Sequence, residues 1–173
     1  MKYDLDLSNG DDKVLATLIA TLEDGTREWR ESLEIPPIEA VIWQPREGSY
    51  SIGGILLHLI DCESYWLKSF TEGIEPDVQN PAYIYNASMD QYTLGGWPPP
   101  PAQPIQWYFD LQDKMRAEII NRVVEHQQAT REFSSPRNTF TYQWIVAHIV
   151  QHDSYHGGQC VMLHELWKEH VGN

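Results

Sequence analysis

Two stretches, S51IGGILLHLIDCESYW66 and T141YQWIVAHIVQHDSYH156, decide the fold. Each opens on a hydroxyl residue suited to capping a helix N-terminus. From the first stretch onward, Ile52, Ile55, Leu56, Leu59, Ile60 and, just beyond it, Leu67 and Phe70 recur at helical spacing and give a broad apolar face. At an offset of 90 residues Ile55, His58, Ser64 and Tyr65 align with the identical Ile145, His148, Ser154 and Tyr155. Glu63 aligns with Asp153 and Cys62 with His152. Either a helix pair was duplicated or two helices solved one packing problem; both readings place histidines at comparable depth. Helices are predicted from Ser51 to about Thr71 and from Thr141 to about His170.

Outward from these, Leu15, Leu18, Leu22, Trp29 and Leu33 predict a helix over 11–34, which Pro36-Pro37 ends. A loop is expected from there to about Tyr50. Tyr108, Leu111, Met115, Ile119 and Val123 predict another helix over 104–131, with SSPRNT as the turn after it. Residues 73–104, containing GGWPPPPAQP, hold no sustained period and read as a long rigid crossover, with one short helix near 86–92. No run alternates with period two long enough to be a strand. The expectation is all-α: a four-helix bundle with a long crossover loop between the second and third helices, one domain over 1–173.

Composition excludes several function classes. A net charge of −13 disfavours surfaces that neutralise phosphates, so neither nucleic acid nor an anionic membrane is an expected partner. Apolar residues make up 42%, enough for a core and too many for a disordered acidic tail. No apolar run reaches the ~20 residues of a membrane helix. The opening MKYDLDLSNGDD has no signal-peptide core, and Cys62 and Cys160 form no disulfide framework, so the expected compartment is the cytoplasm.

Four of the seven histidines fall within residues 148–164. His148, His152 and His156 recur every four residues and so share one helix face. Chance supplies roughly 0.3 such pairs in this composition but only about 0.01 overlapping double pairs, so the run carries information. A histidine stripe can also line a surface or a core. An i+4 step drifts by about 40°, which prevents all three from being equivalent ligands. Two adjacent members joined by a histidine from another helix make the better site. His58 is the natural third, because an unpaired imidazole inside ILLHLI would be costly to bury. Three neutral imidazoles suit Zn, Ni, Fe or Cu and leave positions open for water or substrate.

The run H152DSYH156GGQ159 resembles the H-x-x-x-H-x-G-Q motif on the last helix of DinB-like four-helix metalloproteins, and S51IGGILLHL59 is similar to their second-helix ligand segment. The resemblance covers about 11–170 and is sharp in these two windows. It implies that His58, His152 and His156 bind one divalent metal, with His148 as a neighbour. Characterised relatives work with low-molecular-weight thiols: mycothiol-dependent maleylpyruvate isomerase, bacillithiol transferases and the DinB-like half of the ergothioneine sulfoxide synthase. Nothing here matches the second domain of that synthase. His152 stands where the isomerase has Glu, which points away from that reaction. What is implied is a divalent-metal-binding protein, an enzyme of thiol S-transferase or hydrolase type, acting on a small-molecule substrate as a homodimer. The competing expectation is a non-catalytic metal- or ligand-binding stress protein.

Around this set, Cys62 and Cys160 read first as core cysteines, with Cys62 a candidate to face the metal. Asp153 and Glu63 are candidates to hydrogen-bond a ligand imidazole or to be solvated. Gln159 is a candidate to orient a ligand, and Trp66 and Trp144 to wall the pocket. Gly157-Gly158 in mid-helix implies close helix contact. His126, His164 and His170 read as surface residues. Ligands that must be neutral imply metal release as pH falls through roughly 6.

Overall fold

A computed structural model of the chain describes residues 5–85, 96–126 and 128–172. It is mostly helical, with α1 (Lys13–Leu33), α2 (Ile38–Ile42), α3 (Ile52–Ser64), α4 (Ile105–His126) and α5 (Tyr142–Gly172). A π-helical turn, Tyr65–Phe70, continues α3, and a 3-10 turn covers Tyr83–Tyr85. Among the described residues no helix is long and apolar enough to cross a membrane.

The boundaries follow from capping. Asp12 accepts hydrogen bonds from the Val14 and Leu15 amides through Oδ1 and from the Ala129 amide through Oδ2. One carboxylate thus caps α1 and fastens the connection that follows α4. Ser51 caps α3 by accepting from the Gly54 amide at 3.2 Å. α1 stops at Leu33; Glu34 adopts φ 62°, just before the two prolines.

Several expectations are corrected. The stretch read as a loop between Pro36 and Tyr50 contains α2, entered from Pro37. The third helix ends at His126 rather than 131, whereas SSPRNT is a turn as expected, the tip of a hairpin. Strands β1 (Glu132–Ser134) and β2 (Thr139–Thr141) pair antiparallel with Phe133 opposite Phe140. Three-residue strands are too short to show an alternating pattern. The short helix expected near 86–92 lies outside the described residues.

α1 packs on α5, α5 on α3, α3 on α4 and α4 on α1, so contacts run around a closed circuit of long helices. One apolar cluster gathers around Ile55, Leu56, Leu59 and Tyr108, and a second around Ile19, Ile119, Ile145 and Ile149. α1 packs tightly on α5 at Gly157, where an added Cβ would collide with the Trp29 ring. At Gly158 a Cβ would meet nothing.

The four long helices also share a buried polar knot. Arg116 of α4 donates to Glu63 of α3 at 2.9 and 2.6 Å, to Asp153 of α5 at 3.1 Å and to Thr26 of α1 at 3.0 Å. Asp153 further accepts from the Thr26 hydroxyl and the Trp29 indole, each at 2.9 Å, and from Gln112 at 3.2 Å. Glu63 and Asp153 are neither solvated nor bonded to the candidate ligand imidazoles; both turn to Arg116. Burial pulls the guanidinium's pKa down, but the two carboxylates outweigh it and keep Arg116 charged. Burial likewise pushes the Glu63 carboxyl up against the pull of Arg116.

Replacing Arg116 with Met strands two buried carboxylates. The expected loss is roughly 3–5 kcal/mol, read from the urea midpoint. The two glycines should part in the same assay: Gly157→Ala costs roughly 1–3 kcal/mol by overpacking Trp29. Gly158→Ala is neutral or stabilising by up to about 1 kcal/mol. Equal effects at the two positions would contradict the packing described.

Candidate metal centre

His58 projects from the second turn of α3, and His152 and His156 lie one turn apart near the middle of α5. Ligand atoms from the three all fall within 4.8 Å of one another. The Nε2 atoms of His58 and His152 are 3.2 Å apart. Ring centroids lie 4.9 Å apart for His58 and His152, 5.1 Å for His58 and His156, and 4.4 Å for His152 and His156. His58 and His156 are buried, and His152 is half-buried.

Oxygen acceptors set the tautomers of two of these rings. Nδ1 of His58 lies 3.1 Å from the Tyr85 carbonyl, which can only accept. The proton therefore sits on Nδ1, and Nε2 carries a lone pair aimed at His152. Nδ1 of His156 lies 2.6 Å from Oε1 of Gln159 and donates to it, freeing its own Nε2. Gln159 does orient an imidazole. Fixing the far nitrogen in this way is how proteins hold metal-binding histidines.

The donor set fits a divalent transition ion. With metal–nitrogen bonds near 2.05 Å, a 3.2 Å separation subtends about 100°, between octahedral and tetrahedral values. Without an ion the same pair is satisfied by His152 donating to His58. Burial, reinforced by His156, pulls the His58 pKa down to about 4. Burial first, then His156, His58 and His148, pulls His152 down to about 3. Burial also lowers His156. The rings are therefore neutral near pH 7, as metal ligation requires.

The other singled-out residues separate from this group. The His148 ring is 5.8 Å from that of His152, but it stacks on Trp144 (5.0 Å, 6° between planes) and meets Trp66 edge-on at 5.4 Å. The two tryptophans thus wall His148 rather than the three-histidine cluster. Cys62 is not in the cluster, and burial, aided by Glu63 and Asp61, pushes its thiol up to about 12. Cys160 is buried, and its thiol is pushed up by burial and then by Asp153. His164 is a correction: it is buried rather than surface-exposed, donating from Nδ1 to the Leu33 carbonyl at 2.9 Å. The last carbonyls of a helix lack intrahelical partners, and this imidazole supplies one. His170 is exposed and stacks on Trp43 at 5.3 Å. The side chain of His126 lies outside the described residues.

Two supporting residues come from the crossover and were missed by sequence reasoning. Tyr85 supplies the carbonyl for His58, and the Trp97 ring packs 5.4 Å from that of His58. The usable signal was Trp97, a large aromatic among glycines and prolines.

A family model described as the DinB superfamily matches residues 21–160. No curated protein matches the sequence.

The lowered values have a definite sign. Between each folded-state value and about 6.5, the unfolded chain binds more protons than the fold. The stability tied to neutral His58 and His152 is therefore complete above pH 6.5 and is lost as pH falls towards 4 and 3. In metal-free protein, imidazole nitrogen NMR should show both rings neutral at pH 5, with His58 protonated on Nδ1. Titration of either ring near pH 6.5 would refute this. The same burial moves metal release below the threshold of about 6 expected from free imidazoles.

Proposed function

Since the chain belongs to the DinB superfamily, we propose that it is a metal-dependent enzyme in which His58, His152 and His156 hold one divalent transition metal, Zn, Ni or Fe. The observation that carries this reading is the convergence of three neutral imidazoles, two with Nδ1 tied to an oxygen acceptor. We read the circuit of long helices as a single-domain four-helix bundle that brackets the site. A bound ion supplies Lewis acidity, which lowers the pKa of a thiol or water reaching it. The residues do the rest: Tyr85 and Gln159 hold the tautomers, and Trp97 covers one side of His58. The proposed reaction is a thiol-dependent S-transfer or a hydrolysis. Its substrate is a small molecule, a low-molecular-weight thiol serves as co-substrate of the S-transfer, and the proposed state is a cytoplasmic homodimer.

One observation favours a second reading, a non-catalytic metal- or ligand-binding stress protein. Four acid–base groups close in sequence to the ligands are otherwise engaged. Both cysteine thiols are held in the protonated form, and Glu63 and Asp153 are bonded to Arg116.

Protein purified without an affinity tag should contain close to one equivalent of metal, and His156→Ala should lose it while remaining folded. Less than about a tenth of an equivalent, with no uptake on reconstitution, would refute the metal centre. Turnover of a thiol and electrophile panel that rises with metal occupancy supports the enzyme. Full occupancy with no turnover supports the binder.

A further inference from the structure

On the flank of α3 away from the histidine cluster, the structure contains a cleft of about 490 Å³ between α3, the π-turn, α4 and the segment 74–81. None of the three clustered histidines lines it. Its apolar surface comes from Ile60, Ile74, Leu111 and Met115. Asp61 also lines it, only 9% exposed, and its carboxylate has no hydrogen-bond or ion-pair partner among the described residues. A carboxylate that opens on a cleft without a partner is available to a cation from solvent, whereas Glu63, two residues along, is committed to Arg116.

We propose that this cleft is a second binding site, for a small organic cation carrying a primary ammonium group on an apolar body, with Asp61 as its counter-ion. The charges on each wall agree. On the π-turn Lys68 is held by Glu118 of α4 at 3.2 Å. On the segment after it, Glu75 and Asp77 add negative charge at the rim. Lys114 of α4 is exposed and is the remaining cation, so the cleft retains net negative charge. The hydroxyl of Ser64, one turn beyond Asp61, lies in the same wall and offers a further acceptor. The apolar side chains set the preference for an amine with a hydrocarbon body over a bare cation. Burial pushes the Asp61 carboxyl up to about 7. A bound ammonium favours its ionised form, so affinity should rise between pH 6 and 8. The site stands independently of the metal reading.

The test is titration of nitrogen-15-labelled protein, as purified, with phenethylammonium chloride, using the uncharged 2-phenylethanol as comparison. Saturable amide shifts are expected in residues 60–69 and 111–118. Asp61→Asn should weaken binding at least tenfold while leaving the melting temperature unchanged or higher. Met115→Trp, which fills the opposite wall, should also abolish binding and covers the case in which the Asp61 variant fails to fold. Several results would each overturn the proposal: no saturable shift at millimolar amine, equal binding of the alcohol, undiminished binding by folded Asp61→Asn, or shifts centred on residues 58, 152 and 156.

Discussion

Arg116 sits at the meeting point of the four long helices, and its neighbours fix how those helices align. Glu63 lies five residues after His58 on α3, and Asp153 directly follows His152 on α5. By binding both carboxylates, Arg116 sets the axial register of α3 against α5, and hence the depth at which His58 meets His152 and His156. Hydrocarbon packing alone is non-directional and tolerates sliding; a forked hydrogen-bond donor does not. Thr26 and Trp29 extend the same constraint to α1. The candidate metal centre therefore depends on a polar knot that hydrogen-bonds none of its three histidines.

This knot gives the internal echo a physical content. Glu63 and Asp153 are aligned at the 90-residue offset, and both end on one arginine. The histidines of the echo do not behave alike: His58 joins the cluster, whereas its counterpart His148 stacks on Trp144. Cys62, the counterpart of His152, stays protonated outside the cluster. Packing positions are repeated between the two helices, and chemistry is not.

The helical character and the histidine stripe of the last helix were legible from spacing alone, period 3.6 and i, i+4, whereas His58 was singled out by its apolar surroundings and the choice of His152 and His156 came from the family resemblance. What could not be read came from contacts distant in sequence. On α4 the expected face ran through Leu111 and Met115, but both are only half-buried, and Gln112 and Arg116 are buried instead. Polar residues occupied core positions, so the apolar period pointed slightly to one side of the true face. His164 read as a surface residue because its acceptor, the Leu33 carbonyl, belongs to another helix. Asp61 likewise gave no signal, since an acidic residue on a helix is ordinarily solvated. Gly157 was half legible: a glycine pair announces close contact, but only the Trp29 side chain says which of the two is needed.

The hydrogen bond between His58 and the Tyr85 carbonyl has a consequence for how such a protein can change over time. Tyr85 sits in a one-turn segment of a long connection, the kind of region where insertions and deletions are ordinarily harmless. Here a carbonyl from that connection decides which nitrogen of a buried imidazole carries the proton. Lengthening or shortening the connection near this turn would leave every long helix intact and still remove the acceptor that fixes the tautomer. The stretch between the π-turn and Tyr85 is thus held to a length by one hydrogen bond, although its sequence carries no periodic signature.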